Sequence, residues 1–412
     1  MNIGMVSTRF AGTDGVTLEA AKLAEVLKEA GLEVVWFAGE LGERFRPGMT
    51  YPPAHFEHPV NRRLEASCFG PRPCQPDTLD TLQELTDQLK PPLRQFLQDF
   101  AVDLVVAENT LCLPMQLPLG LALGETLLET GLPVIGHHHD FAWERERFQR
   151  TCVPDILETA FPPALAGMQH LVIQSSARDE LARRRGVLAT VLPNVMDFER
   201  GPVTAQDAAA FRAAAGLGEA DLLLLQPTRV VPRKGIELTL RLAHELADQR
   251  VKVVVTHDDG DEGETYGRRL RAEAERLKVD LRFVPTRPPD GDDPERPSLA
   301  DAYAAADLVC YPSRYEGFGN ALLEAFFYRR PVLVNRYPVY QRDIAPTGVA
   351  CIEIDGEVTR EAVGRAAAWL EEPARWQEAV HNNYQVGRSH FSFEVLRQRL
   401  LPVVALAAAA AA

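Results

Sequence analysis

The segment Pro312–Ala325, PSRYEGFGNALLEA, combines a glycine-containing turn with two glutamates. Glu316 lies in the turn, whereas Glu324 lies in the helix that the following residues predict, with seven residues between the two. The first N–H groups of this helix, at Asn320 and Ala321, would form a site for an anion. Two carboxylates that reach different hydroxyl groups beside such a site suit a sugar nucleotide. Taken alone, the spacing of the glutamates also fits a strand-to-helix turn with solvated side chains.

A basic cluster follows Leu222–Gln226, the most apolar predicted strand of the chain. Arg229 and Lys234 flank the predicted start of a helix that continues through Leu246. A guanidinium, an ammonium and a helix N-terminus at one place can neutralise the charge that develops on a departing diphosphate. Arg233, between the two, is interpreted as a surface bystander. A surface basic turn would explain this cluster alone, but the two motifs together indicate a site for a sugar nucleotide.

The run Gly136–Arg145, GHHHDFAWER, places three histidines at the end of a predicted strand. Because side chains alternate along a strand, His137 and His139 are predicted to share one face and His138 the other. One interpretation is a metal site built from His137, His139 and Asp140. We favour a single catalytic histidine with packing neighbours, since the sequence offers no Cys- or His-rich segment to complete a tetrahedral set.

The loop after the histidines carries aromatic and charged side chains that could shape an acceptor pocket, although a solvated charged loop fits its composition equally well. These candidates are Asp140, Trp143, Glu144, Arg145 and Arg147. Basic clusters at Arg145–Arg150 and Arg183–Arg185 are short and interrupted, so we interpret them as solvated helix faces. This argues against membrane association.

Short apolar runs alternate with amphipathic ones, which predicts an α/β protein with parallel sheets and helices on both faces. A break near Pro193, a polar stretch at Thr204–Ala215 and a new apolar strand at Leu222 indicate two doubly wound domains. The predicted strands are Asn2–Val6, Val34–Phe37, Leu104–Ala107, Pro133–His137, Leu171–Gln174, Leu222–Gln226, Lys252–Thr256, Leu281–Pro285, Leu308–Tyr311 and Val332–Asn335. Gly31 is predicted to end the first helix, and the Pro- and Asp-rich Thr286–Pro297 to be an exposed loop.

Two such domains facing each other would leave a cleft lined by the carboxyl ends of their strands, where open α/β sheets bind ligands. We expect the site there. The predicted boundaries are 1–197 for a Rossmann-like acceptor-side domain, 198–385 for a Rossmann-like donor domain, and 386–412 for a helical tail that could pack back on the first domain.

Composition narrows the function classes further. The 412 residues are 46% hydrophobic and 25% charged, which are ordinary globular proportions. Acidic residues outnumber basic ones by 58 to 44, a formal charge of -14 that argues against a nucleic-acid partner. The N-terminus has neither a basic nor an apolar leader pattern, and we expect a cytoplasmic protein. The six cysteines, which lack CxxC spacing, are expected to be reduced. The alanine run at Ala407–Ala412 is given no function.

The motifs around Arg229, Lys234-Gly235, Glu316 and Glu324 resemble the donor site of retaining nucleotide-sugar glycosyltransferases of family 4, which have the GT-B fold. The resemblance extends over nearly the whole chain. It includes a glycine-containing loop after the first strand, the histidine-aspartate pair after the Pro133 strand, and a Leu-Pro-Asn sequence before the linker. These further positions are Gly12, Gly15, His139, Asp140, Leu192, Pro193 and Asn194.

The resemblance implies a role for each of these residues. Arg229 and Lys234 would hold the donor diphosphate, Glu316 would contact the transferred sugar, and Glu324 would bind the ribose. His139 would contact the sugar near the reacting carbon. Backbone amides would contact sugar and phosphate, and the positions implied are Gly15, Phe318, Gly319, Asn320 and Ala321. Such enzymes retain anomeric configuration, use the leaving phosphate to deprotonate the acceptor, and need neither a cofactor nor a catalytic metal.

The sequence departs from the family pattern at two turns of the second domain. Phe327–Pro331 has an arginine where glycine is usual, and Asn335–Tyr340 replaces a small glycine-rich loop. In the first domain, Thr13 and Asp14 separate glycines that are often paired. The two turns of the second domain leave the sugar specificity open.

The leading hypothesis is an enzyme that transfers a hexose from a nucleotide diphosphate sugar, of GDP-mannose or UDP-glucose type, to a hydroxyl of a small soluble acceptor such as a polyol, sugar acid or saccharide. The alternatives are a sugar-nucleotide epimerase, which the fold alone does not exclude, a transferase acting on a lipid-linked acceptor, and a non-catalytic sugar-nucleotide binder. An epimerase would convert a sugar nucleotide without any acceptor. The sequence leaves the oligomeric state open.

Overall fold

The computed structural model describes residues 1–12, 14–71, 73–201, 207–258, 264–287 and 296–410. They form two compact units: Met1–Pro193 with Leu396–Ala412 is unit 1, and Asn194–Val395 is unit 2. Thr13 of the glycine loop lies outside the described residues, as do 204–206 of the predicted polar stretch, 288–295 of the predicted exposed loop and the last two alanines. The described part of the polar stretch includes a helix.

Unit 1 is built on a seven-stranded parallel sheet with strand order β3-β2-β1-β4-β5-β6-β7. The strands are β1 Asn2–Val6, β2 Glu33–Ala38, β3 Gly48–Thr50, β4 Leu104–Glu108, β5 Val134–His138, β6 Gln169–Val172 and β7 Thr190–Val191. The helices are α1 Gly15–Glu29, α2 Pro59–Cys68, α3 Thr78–Asp99, α4 Leu117–Thr130, α5 Glu146–Gln149, α6 Pro154–Ala160 and α7 Ser175–Arg185.

Unit 2 has a six-stranded parallel sheet with order β10-β9-β8-β11-β12-β13. The strands are β8 Leu222–Gln226, β9 Val251–Val255, β10 Asp280–Phe283, β11 Leu308–Tyr311, β12 Val332–Asn335 and β13 Ile352–Ile354. The helices are α8 Ala208–Ala214, α9 Ile236–Leu246, α10 Glu264–Leu277, α11 Leu299–Ala305, α12 Asn320–Phe327, α13 Arg360–Glu371 and α14 Ala374–His390, and the last helix of the chain is α15 Phe393–Ala409.

The predicted α/β class with two parallel sheets is confirmed, and the central strands lie where the apolar runs predict them. Four predicted strands, β1, β8, β11 and β12, have the expected bounds. The prediction for Leu171–Gln174 was wrong by two residues, since β6 ends at Val172. Three further strands were not predicted, namely β3, β7 and β13. Each lies at a sheet edge and has two or three residues, too few to give a hydrophobic pattern.

The first helix illustrates how local sequence sets the position of a functional loop. Asp14 caps α1 by accepting hydrogen bonds from the Thr17 amide at 3.1 Å and from its hydroxyl at 2.8 Å. Gly31, with φ of 80°, follows the helix end as predicted. Gly15 is therefore the first residue of α1, at the amino end of the helix that follows β1.

The expectation that all six cysteines are reduced is wrong for one pair. Cys74 and Cys152 form a disulfide within unit 1, across a sequence separation of 78 residues. The other four cysteines are buried free thiols. A pair so far apart in sequence gives no local spacing signal, which is why the pattern missed it. Among the described residues, none of the helices is both long enough and apolar enough to cross a membrane.

Candidate active site

Two loops of unit 2 approach each other closely at a glycine. Residues 232–234 form a single turn of 3-10 helix after β8, and Gly235 ends it with φ of 64° before α9 begins. A Cβ atom at this position would lie 2.4 Å from the carbonyl oxygen of Pro312, just after β11. The Arg314 amide also donates to the Arg233 carbonyl at 2.8 Å. Glycine is thus required here for the basic loop to pack against the loop that carries Glu316.

The central feature of the site is a buried ion pair between these two loops. Lys234 Nζ lies 2.5 Å from Glu316 Oε1, and the two residues are 8% and 6% exposed. Burial raises the pKa of Glu316, but the charges of Lys234 and Arg233 outweigh it and hold the pKa below the ordinary value. Burial also lowers the pKa of Lys234, although Glu316 opposes this. The carboxylate and the ammonium are therefore held as charged groups in fixed positions.

The interpretation of Arg233 as a bystander was wrong. Its Nη1 donates to Glu316 Oε2 at 2.9 Å and to the Tyr315 carbonyl at 3.2 Å, so both oxygens of Glu316 carry a cationic partner. Arg229 is exposed, and its charge contributes to lowering the pKa of Lys234. Two cations thus pair with one buried carboxylate and a third, Arg229, lies near Lys234, an arrangement suited to a polyanionic ligand.

We expect Arg233→Ala to weaken the acid stability of the fold. The lowered pKa of Glu316 means that its ion pairs stabilise the protein above the ordinary glutamate pKa of about 4.3, and that this is lost as the pH falls through the lowered value. The variant should lose about 1 kcal/mol near neutral pH, because the pair is partly solvated, and nothing in strong acid. Urea unfolding between pH 2 and 7 measures this.

The matched control is Arg314→Ala, which removes an exposed arginine of the same loop pair that donates to Glu237 at 2.9 Å instead. It should not change the acid dependence attributed to Glu316. An equal stability loss in Arg233→Ala at every pH would contradict the role given to this arginine.

The turn before α12 is shaped by a second glycine. Gly319 has φ of 136°, and a Cβ atom there would lie 2.2 Å from the Tyr337 hydroxyl, which donates to the Phe318 carbonyl at 2.9 Å. The helix begins at the next residue, Asn320, whose Oδ1 accepts from Asn194 Nδ2 at 2.7 Å. Asn194 therefore contacts the first residue of α12.

Glu324 lies in the second turn of α12 and is half-buried. The Tyr303 hydroxyl donates to its Oε2 at 2.7 Å and to the Ala321 carbonyl at 3.0 Å. Tyr303 in turn stacks on Tyr328, with ring centroids 5.0 Å apart. The second glutamate is thus fixed by a buried tyrosine, rather than solvated as the alternative interpretation would have it.

The departure from the family pattern after α12 has a structural explanation. Arg329, at the position where glycine is usual, adopts φ of 54°, the left-handed conformation that glycine favours. Its guanidinium lies 3.7 Å from the centroid of the Tyr384 ring. The chain therefore makes a left-handed turn here with arginine, and a cation–π contact accompanies the less favourable conformation.

In unit 1, the histidines alternate as predicted, and an unpredicted glutamate meets two of them. His137 Nδ1 lies 2.9 Å and His139 Nε2 lies 3.3 Å from Glu108 Oε2, at the end of β4. The rings of His137 and His139 are 4.5 Å apart. His138 faces the other way, where its Nε2 lies 3.0 Å from His170 Nδ1.

The charges of this cluster follow from burial and pairing. Burial raises the pKa of Glu108, but the two histidines outweigh it and lower the pKa to about 2. Burial lowers the pKa of His139, yet its hydrogen bond with Glu108 raises the pKa above the ordinary value. Burial and the neighbouring histidines lower the pKa of His138. Glu108 and His139 thus form a buried ion pair, while His138 is neutral.

The alternative metal set of His137, His139 and Asp140 shares two residues with the group that the structure brings together. The ligand atoms of Glu108, His137 and His139 all lie within 4.8 Å of one another, so this set could hold a cation. Asp140 does not belong to it, because its Oδ2 accepts from Arg145 Nη2 at 2.6 Å. This ion pair also binds Arg145, one of the proposed acceptor residues, to its own loop.

The remaining acceptor-side candidates are packed against neighbouring side chains. Trp143 stacks on Phe141 with ring centroids 4.4 Å apart, and the Phe141 amide donates to Glu144 at 2.8 Å. Burial raises the pKa of Glu144 to about 7. Arg147 lies 3.5 Å from Glu65. Trp143 and Glu144 are therefore held by contacts within unit 1, whereas Arg147 is exposed.

Sequence reasoning missed Glu108 and gave Arg233 no role in these two clusters. Glu108 follows the apolar run Leu104–Ala107, so its position at the carboxyl end of a parallel strand could be predicted from the sequence. Its contact with the histidines depends on β4 lying beside β5, and no local pattern specifies strand order. Arg233 was seen but left without a partner.

Comparison with known proteins identifies the family of the chain. Residues 207–384 match the family model "Glycosyl transferases group 1". A mannosylglucosylglycerate synthase of Thermotoga maritima is 31% identical over 441 residues, covering 98% of this chain and 100% of the relative. One from Petrotoga mobilis is 30% identical over 392 residues, covering 88% of each chain.

Solved structures show the same fold at lower identity. Anabaena HepE, in complex with UDP and glucose, has a TM-score of 0.71 at 15% identity over 98% of this chain and 99% of its own. The sucrose-phosphate synthase of Thermosynechococcus elongatus has a TM-score of 0.66 at 16% identity over 98% of each chain. Two parallel α/β units of this kind show the GT-B fold, and the family model and the two relatives show a glycosyltransferase. The chain belongs to the group 1 glycosyl transferase family.

Proposed function

We propose that this enzyme transfers a mannosyl group from a nucleotide diphosphate sugar to glucosylglycerate, a small sugar acid, and so forms mannosylglucosylglycerate. The observation that carries the proposal is the ion cluster of Lys234, Arg233 and Glu316 beside the start of α9. The full-length relatives support the product, since both are named mannosylglucosylglycerate synthase. GDP-mannose is the donor that this product favours, and UDP-glucose is the alternative that HepE suggests.

In the proposed reaction, the bond between the sugar C1 and the β-phosphate oxygen breaks, and a bond from the acceptor oxygen to C1 forms. The acceptor proton passes to the leaving nucleoside diphosphate, and the anomeric configuration is retained, as in glycosyltransferases of family 4. Negative charge builds on the diphosphate as the bond breaks, so fixed cations lower the barrier.

Each sequence-selected residue has a role in this proposal. Arg229 and Lys234 hold the diphosphate, Glu316 contacts the transferred sugar, Glu324 binds the ribose, and His139 contacts the sugar near C1. The backbone contacts to donor sugar and phosphate are Gly15, Phe318, Gly319, Asn320 and Ala321. The loop that carries Asp140, Trp143 and Arg145 binds the acceptor.

The decisive experiment incubates the purified protein with GDP-mannose or UDP-glucose, with and without glucosylglycerate, and follows nucleoside diphosphate release and products by mass spectrometry. A transferase gives release and a new glycoside only with the acceptor. Conversion of the sugar nucleotide alone would instead indicate an epimerase. Donor binding without transfer to this or any other hydroxyl acceptor would indicate a non-catalytic binder, and transfer only to a lipid-linked sugar would refute the soluble acceptor.

We further propose that the enzyme binds the diphosphate without a divalent ion and needs no cofactor. We also propose that the enzyme is cytoplasmic. With Arg229, Arg233, Lys234 and a helix N-terminus available, a divalent cation at the phosphates is redundant. Donor affinity and turnover should therefore persist in excess EDTA. A complete loss of both that Mg²⁺ or Mn²⁺ restores would contradict this.

A further inference from the structure

The carboxyl end of β4 provides two adjacent side chains that both contact the histidine segment after β5. Glu108 is the last residue of β4, and Asn109 follows it with φ of 58°, a left-handed conformation. We infer that Glu108 and Asn109 are positioning residues that hold His139 for the transfer reaction. The inference rests on the proposed function, in which His139 contacts the transferred sugar.

Asn109 fixes the backbone at the point where β5 ends. Its own amide donates to the His137 carbonyl at 2.9 Å, which continues the pairing of β4 with β5 by one residue. Its Oδ1 then accepts from the amide of His139 at 3.0 Å and from that of Asp140 at 3.3 Å. The β5 strand ends at His138, so the side-chain amide of Asn109 takes over as acceptor where strand pairing stops. The backbone of the His139-Asp140 pair is therefore set by one side chain.

Glu108 fixes the ring of His139. Its side chain is fully buried, and its Oε2 faces His139 Nε2 at 3.3 Å and His137 Nδ1 at 2.9 Å. The Ser7 hydroxyl donates to its carbonyl at 3.1 Å, which anchors the strand end itself. A carboxylate that accepts from one ring nitrogen fixes the rotation of the imidazole. The other ring nitrogen is then presented in one orientation.

The conformation of Asn109 allows a clean deletion. Glycine accepts a φ of 58° without steric cost, so Asn109→Gly removes the amide group and leaves the turn unstrained. Asn109→Asp keeps an oxygen acceptor at the same position and should rescue the function. Glu108→Gln keeps the shape and one oxygen of the buried side chain while removing its charge. His170→Ala is the matched control, because it removes a buried contact to His138 on the opposite face of β5.

The test measures kcat, donor KM, donor affinity by calorimetry, and thermal stability for these four variants. We expect kcat to fall about 10- to 100-fold in Asn109→Gly and Glu108→Gln, since small misplacements of a reacting group cost up to about 100-fold. Donor affinity and donor KM should stay within about 2-fold of wild type. A change in kcat alone would distinguish a positioning role from a general loss of structure, which would also weaken donor binding. Asn109→Asp and His170→Ala should keep kcat within about 3-fold.

Three results would overturn the inference. Wild-type kcat in both Asn109→Gly and Glu108→Gln, with loss of activity in His139→Ala, would refute the positioning role and leave the proposed function intact. Equal loss in Asn109→Gly and Asn109→Asp would mean that the oxygen acceptor is not what matters. One equivalent of Zn²⁺ or Co²⁺ bound by wild type and not by Glu108→Gln would make the cluster a metal centre. Absence of wild-type transfer with every donor and acceptor would instead refute the proposed function.

Discussion

Replacing Lys234 by alanine is expected to lower kcat by about two to three orders of magnitude. A fixed positive charge that faces a developing anion contributes about 3 to 4 kcal/mol to transition-state stabilisation. Because Lys234 is also paired with buried Glu316, the variant should lose about 1 to 3 kcal/mol of stability as well. Steady-state kinetics and urea unfolding measure the two effects separately.

Two further variants distinguish the electrostatic role of Lys234 from its structural role. Arg229→Ala removes an exposed cation and should reduce kcat strongly while stability stays unchanged. Lys252→Ala removes a half-buried lysine of β9 that donates to the Gln249 carbonyl at 2.8 Å, and it should leave kcat unchanged. Wild-type turnover in either Lys234→Ala or Arg229→Ala would refute the assignment of the diphosphate to these residues.

Replacing His139 by alanine should reduce transfer by about 100-fold or more and leave donor affinity unchanged. The charged groups assigned to the diphosphate and ribose belong to unit 2, whereas His139 belongs to unit 1. The matched control is His138→Ala, since this neighbour faces His170 instead. Its kcat should stay close to that of wild type. Equal loss of donor affinity and turnover in His139→Ala would contradict its assignment to the sugar.

The same variant has a pH signature. The raised pKa of His139 means that its pairing with Glu108 stabilises the fold below the ordinary histidine pKa of about 6.5 and is lost as the pH rises through the raised value. On the acid side, the pairing is present above the ordinary glutamate pKa of about 4.3 and is lost as the pH falls towards about 2. The stability difference from wild type should therefore be largest between about pH 4.3 and 6.5. A difference that does not vary with pH would argue against the ion pair.

The donor-side cluster was more predictable from sequence than the histidine cluster, for a physical reason. Lys234 and Glu316 each stand in a local strand-to-helix motif that marks the residue, although their pairing across 82 residues depends on β8 lying beside β11. The partners of His139 come from a strand 30 residues earlier, so they depend on sheet order. Edge strands and the Cys74–Cys152 pair were missed for related reasons, because long-range pairing leaves little trace in a short window of sequence.

The close approach at Gly235 has a consequence for the thermodynamics of ligand capture. Since the basic loop and the carboxylate loop touch through backbone atoms, the cations and Glu316 are ordered when the chain folds. Little conformational entropy then remains to be lost when a nucleotide sugar arrives, and immobilising a long flexible side chain would otherwise cost about 0.5 to 1.5 kcal/mol. Because Gly235 has no side chain, the same backbone contact contributes to the stability of the fold and to the order of the donor site.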